Sequence, residues 1–101
     1  MKKINFCSIG ECMIEIANTK NNHFIQSFAG DTLNFSAYLD KKKIKVDYLT
    51  SIGKSKINKN LFDIFRLKKI SPKLVNIHKD KESGLYLIKN YKNGEKQFYY
   101  W

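Results

Sequence analysis

Apolar and polar residues alternate along the chain in short stretches of two different periods. Residues 4–9 (INFCSI) and 12–17 (CMIEIA) are apolar runs of strand length separated at Gly10 and Glu11. Asn18 to Asn22 is turn chemistry, and residues 23–28 (HFIQSF) resume an alternating pattern, so 12–17 and 23–28 are expected to pair as a hairpin. The period then changes. Gly30 opens the switch, Asp31 or Thr32 suits a helix N-cap, and Leu33, Ala37 and Tyr38 predict a helix over 32–42 with a Lys-rich last turn. Residues 44–49 (IKVDYL) return to period two. Ile57, Leu61, Ile64 and Phe65 form a helical stripe over 56–68, Pro72 closes it, and 74–77 is a short strand. Strands 85–91 and 96–101 flank Asn93-Gly94, a strong local hairpin signal.

The predicted order is β-ββ-α-β-α-β-ββ, without repeats, linkers or low-complexity segments. Strands alternating with helices imply an α/β fold, in which 4–9, 44–49 and 74–77 lie in one mostly parallel sheet covered by helices. The two hairpins do not fit inside such a sheet. A second, small antiparallel sheet of 12–17, 23–28, 85–91 and 96–101 is their expected home.

The chain has 101 residues, room for one modest core, and a net charge of +10 from 19 basic and 9 acidic residues. Such charge can mark a nucleic-acid partner. Here Arg66 is the sole arginine, and the planar guanidinium fork that grips phosphates and bases is otherwise missing, so a Lys-rich composition is the plainer reading. His23, His78, Cys7 and Cys12 lack metal-ligand spacing. Both cysteines sit in apolar text that suits free thiols. Asn5, Gly10 and Glu11 break any signal-peptide core, and no apolar run is long enough to span a membrane. A cytoplasmic protein is expected.

Two groups of residues carry candidate chemistry. Gly30, Asp31 and Asn34 stand at the mouth of the first helix, where free backbone N–H groups and two polar side chains can hold a polar ligand; the same text also suits a plain capped helix. Tyr86 and the Phe98-Tyr99-Tyr100-Trp101 segment bring rings with polar tips, suited either to a half-wet cleft or to an ordinary hairpin face. The loop register decides which ring faces Tyr86. A two-residue loop sets Lys92 against Glu95 and Tyr86 against Trp101, and a three-residue loop sets Tyr91 against Glu95 and Tyr86 against Tyr100. Glu11 and Glu15 fit a polar ring at a ligand site or solvated strand positions equally well.

Four pieces of this text resemble one family. Ile9-Gly10-Glu11-Cys12-Met13-Ile14-Glu15 is similar to the first strand and lid entry of 2-keto-3-deoxygluconate kinases, a branch of the ribokinase-like (PfkB) carbohydrate kinases. Phe28-Ala29-Gly30-Asp31-Thr32-Leu33-Asn34 resembles their Gly-Gly-Asp-Thr-Leu-Asn sugar-binding turn. Gly84-Leu85-Tyr86 and Phe98 to Trp101 resemble their two later lid strands. The resemblance implies the N-terminal portion of a Rossmann-like domain, with lid strands over about 12–28 and 85–101 and an α/β core over about 4–10 and 31–80. It also implies that a sugar acid binds between the two, at Gly30, Asn34, Tyr86 and, in the three-residue-loop register, Tyr100, with Asp31 of the helix mouth as a further candidate, and that a full-length member phosphorylates it with ATP and Mg2+.

Two departures matter. Ala29 replaces the first glycine of the turn, where a methyl group is expected to crowd the sugar. The family's Gly-Ala-Gly-Asp motif, with its catalytic Asp and ATP pocket, is absent, as is the arginine that follows the Tyr-Tyr segment. The expectation is therefore a fragment that binds no nucleotide and is inactive alone. The competing readings are a small basic nucleic-acid-binding protein and a non-catalytic piece that associates, as a homodimer for instance, through its lid strands.

Overall fold

In the computed structural model, which describes residues 2–101, the chain runs β1 (Ile4–Ile9), β2 (Met13–Asn18), β3 (Phe24–Ala29), α1 (Asp31–Tyr38), β4 (Ile44–Gly53), a 3-10 turn (Lys56–Asn58), α2 (Lys59–Lys68), β5 (Ile70–Ser71), β6 (Val75–His78), β7 (Leu85–Asn90) and β8 (Lys96–Tyr100). These strands separate into two sheets. The first is wholly parallel. β4 is its centre and pairs with β1, β5 and β6. β4 runs past the expected end at residue 49 to Gly53, and this extra length receives β6.

Alternation along β4 buries Val46, Tyr48, Thr50 and Ile52. Leu61 and Phe65 of α2 and Leu33 of α1 cover that layer, and Ile14 and Phe28 of the second sheet join the same core. Burying a Leu or Phe side chain fully stabilises by roughly 1.5–3 kcal/mol, so Leu61 and Phe65, with Phe62 and Ile64 packed against the same cluster, fasten α2 to the sheet.

α1 is shorter than its periodicity predicts, and its cap differs. Gly30, not Asp31 or Thr32, occupies the N-cap position, and its carbonyl accepts the first helical bond from Asn34 N–H at 2.9 Å. Asp31 then falls in the first turn, where its charge suits the helix dipole. The helix stops at Leu39, which is extended. Lys42 and Lys43 lie instead in a turn closed by Lys43 N–H on Asp40 O at 3.1 Å. Lys41 still serves the helix end, donating to Ala37 O at 3.3 Å and Leu39 O at 3.1 Å.

The second sheet has the order β3-β2-β7-β8. Its two hairpins are antiparallel, as expected, but β2 and β7 pair parallel, so the sheet is mixed. A tight turn can join only antiparallel neighbours. Between β2 and β7 the chain passes through β3, both helices and β4 to β6, and so long a crossover lets β7 return in the same direction as β2. The β7–β8 loop takes the three-residue form. Tyr91 N–H donates to Glu95 O at 2.9 Å, Gly94 N–H to Tyr91 O at 3.0 Å, and Gly94 has φ 88°. Tyr86 therefore lies opposite Tyr100.

Candidate functional site

Between the mouth of α1 and the second sheet lies a cleft of about 440 Å³, lined by Gly30, Asp31, Asn34, Tyr86 and Tyr100 together with Glu11, Met13, Thr32 and Phe98. All five residues singled out in the sequence thus meet in one place. Met13 and Phe98 stand two positions from Glu15 and Tyr100, so strand alternation puts them on the same face as those residues. That signal was present in the sequence once the face was known.

The floor is built around a tight backbone approach. Gly30 has φ 143° and ψ 150°, and a Cβ there would sit 2.6 Å from Glu11 O. Only glycine takes this conformation readily, and only glycine leaves room for the β1–β2 link to touch the helix mouth. Tyr48 secures the same junction from below. Its hydroxyl donates to Glu11 O at 3.2 Å and lies 2.6 Å from Thr32 Oγ1. A phenol has one proton, so Thr32 is the donor in the second bond. Tyr48 is fully buried and stacks on Phe65 with centroids 5.7 Å apart, which carries the rigidity of the core to the cleft floor. Ala29 is buried at the end of β3 and is not among the lining residues, so its methyl group does not crowd the cleft as expected.

The opposite wall is aromatic. Tyr86 and Tyr100 stack with centroids 5.8 Å apart, and Phe98 stacks on Tyr100 at 6.4 Å. The Tyr86 hydroxyl donates to Glu15 Oε1 at 2.5 Å. Burial above all, then the hydrogen bond to Glu15 and its charge, pushes the Tyr86 phenol well above the usual tyrosine range. Glu11 and Asp31 are the ionisable side chains on the floor, and the lining holds no Lys, Arg or His. Such a set accepts hydrogen bonds from hydroxyl groups and stacks on apolar faces. It provides no cation to neutralise a phosphate.

The histidines stand apart from the cleft. His23 is exposed, and His78 accepts a bond from Asp80 N–H at 3.2 Å. Among the described residues no group of three or more His, Cys, Asp or Glu is placed to hold a metal ion, and no helix is long and apolar enough to cross a membrane.

The sequence pattern of the pfkB family carbohydrate kinases matches residues 3–101. The chain belongs to this family. Among curated relatives, it is 37% identical over 105 residues to a 2-dehydro-3-deoxygluconokinase of Haemophilus influenzae, matching all of this chain and 33% of that protein. It is 34% identical over 97 residues to the Escherichia coli enzyme of the same name, covering 92% and 31%. The chain therefore spans about a third of the length of these relatives. Among solved structures, a Xylella fastidiosa fructokinase with bound ATP superposes with TM-score 0.84 at 17% identity, over 99% of this chain and 33% of that one. A 2-dehydro-3-deoxygluconokinase of Thermotoga maritima gives TM-score 0.80 at 13% identity, over 96% and 32%. At such identities these likenesses speak to the fold, which is the N-terminal portion of the ribokinase-like architecture.

Proposed function

We propose that the chain is the sugar-positioning part of a kinase that transfers the ATP γ-phosphoryl group to 2-keto-3-deoxygluconate or a closely related sugar acid. The observation that carries the reading is the convergence of Gly30, Asp31 and Asn34 from the helix mouth, and of Tyr86 and Tyr100 from two strands of the second sheet, on one cleft. Backbone N–H groups at the mouth of α1 and the Asn34 amide meet sugar oxygens, Asp31 accepts from sugar hydroxyls, and Tyr86 and Tyr100 cover the ring. The second sheet acts as a lid over the α/β layer. ATP brings the phosphoryl group and Mg2+ neutralises its charge in a full-length member. The residues this chain brings to the cleft bind and orient the sugar, and because no Gly-Ala-Gly-Asp motif occurs among its 101 residues, we expect no phosphorylation by the chain alone.

A nucleic-acid role fits less well, because the lysines lie outside the cleft. The lid also leaves Ile25 and Trp101 exposed, and a homodimer through the lid sheet would cover apolar surface of this kind. Free thiols at Cys7 and Cys12 suit a reducing compartment such as the cytoplasm. The deciding experiment is calorimetric titration of the chain with 2-keto-3-deoxygluconate. Binding should weaken roughly 5- to 150-fold in Asn34→Ala, the loss of one buried hydrogen bond of about 1–3 kcal/mol. Equal affinity in the wild type and the variant would remove the assignment.

A further inference from the structure

One row of side chains crosses all four strands of the second sheet. Ser27 of β3 pairs with Glu15 of β2, Glu15 with Tyr86 of β7, and Tyr86 with Tyr100 of β8. Residues opposite one another on neighbouring strands share a face. On that face the Glu15 carboxylate is used at both oxygens. Ser27 Oγ donates to Oε2 at 3.1 Å, and the Tyr86 hydroxyl donates to Oε1 at 2.5 Å. The Tyr86 ring is then held from its other side by the stacked ring of Tyr100.

The phenol's single proton is thereby committed, and the Tyr86 oxygen has only lone pairs left to offer the cleft. We propose that Glu15 is a positioning residue that fixes Tyr86 as a hydrogen-bond acceptor, so that this wall of the cleft selects a ligand hydroxyl and rejects a carboxylate or phosphate oxygen. The proposal rests on the reading of the cleft as a sugar site and deepens it. A sugar acid lies with a hydroxyl, not its carboxylate, against Tyr86. The negative charge of Glu15 enforces the same choice, because a second carboxylate beside it would be repelled. Glu15 does not line the cleft and acts through Tyr86. The groups that face the phenol are Glu15 from β2, Tyr100 from β8 and Asp31 from α1, and all three favour its protonated form.

Two measurements separate this proposal from the sugar-site reading. The first is an NMR titration of the chain carrying 13C-labelled tyrosine, with Tyr86→Phe to assign the signal. Tyr86 should remain protonated well above the usual tyrosine range, and Glu15→Gln should raise its readiness to ionise by at least about tenfold. Ser27→Ala should keep the late titration, because it leaves the Glu15–Tyr86 bond in place. A wild-type Tyr86 that titrates within the usual tyrosine range would overturn the proposal. The second is binding of 2-keto-3-deoxygluconate in a double-mutant cycle. Glu15→Gln should weaken binding about tenfold in the wild-type background and hardly at all in the Tyr86→Phe background. Independent, additive losses would show that Glu15 does not act through Tyr86. Late titration of Tyr86 in a chain that binds no sugar acid would uphold the hold of Glu15 on the phenol and sink the sugar-site reading.

Discussion

Replacing Gly30 by alanine tests the junction on which the cleft is built. The new methyl group would meet Glu11 O at 2.6 Å, closer than real Cβ contacts come, and its neighbour there is backbone. The backbone at φ 143° also lies where side chains other than hydrogen are strained. Strain of this kind costs about 1–3 kcal/mol, and forced overpacking typically costs a similar amount, so Gly30→Ala should destabilise by about 2–6 kcal/mol. A domain of this size has roughly 5–15 kcal/mol in total. Relief would require Glu11 to move, which would break the Tyr48 bond to Glu11 O and open the floor of the cleft. The assay is urea denaturation followed by far-ultraviolet circular dichroism, with Gly94→Ala as the reference. Gly94 also has positive φ, at 88°, but a Cβ there meets nothing within 4 Å, so its cost should be the backbone part alone, about 1–2 kcal/mol. If Gly30→Ala costs no more than Gly94→Ala, the close approach at Glu11 is not what demands glycine.

Two further outcomes follow from buried groups beside the same junction. Tyr48→Phe keeps the stack on Phe65 but strands Glu11 O and the Thr32 hydroxyl, and thermal unfolding should report a loss of about 1–3 kcal/mol. A loss under about 0.5 kcal/mol would mean that the hydroxyl secures nothing. Cys12 is held protonated up to about 12, from an ordinary 9.0, by burial first and then the charge of Glu11, whereas Cys7 is exposed. At pH 8 one thiol of the native chain should therefore react rapidly with a disulfide reagent and two should react in denaturant. Because the native state holds the Cys12 proton more tightly, its contribution to stability is complete below about pH 9 and lost as the pH rises toward 12, with a slope of about 1.4 kcal/mol per unit. Two fast native thiols would refute the burial of Cys12.

Much of this architecture was legible in local patterns. The hairpin over β2 and β3 announces itself through turn residues between alternating segments, and α2 through a single apolar stripe, because period and turn chemistry act over a few neighbouring residues. The helix mouth at Gly30, Asp31 and Asn34 was legible for the same reason. Other features depend on where distant segments return. Whether Tyr86 faces Tyr100 or Trp101 turns on one residue of loop, and both registers suit the same text; the fold selects the three-residue loop, with Gly94 at positive φ and Tyr91 against Glu95. The parallel pairing of β2 with β7 exists only because the α/β layer carries the chain back in the same direction. Glu15 is the clearest case. In the sequence it is one polar residue in an apolar strand, equally suited to solvent or to a site. Ser27 and Tyr86 reach its two oxygens from strands on either side, and a carboxylate's role is set by which donors surround it, which a linear pattern does not contain.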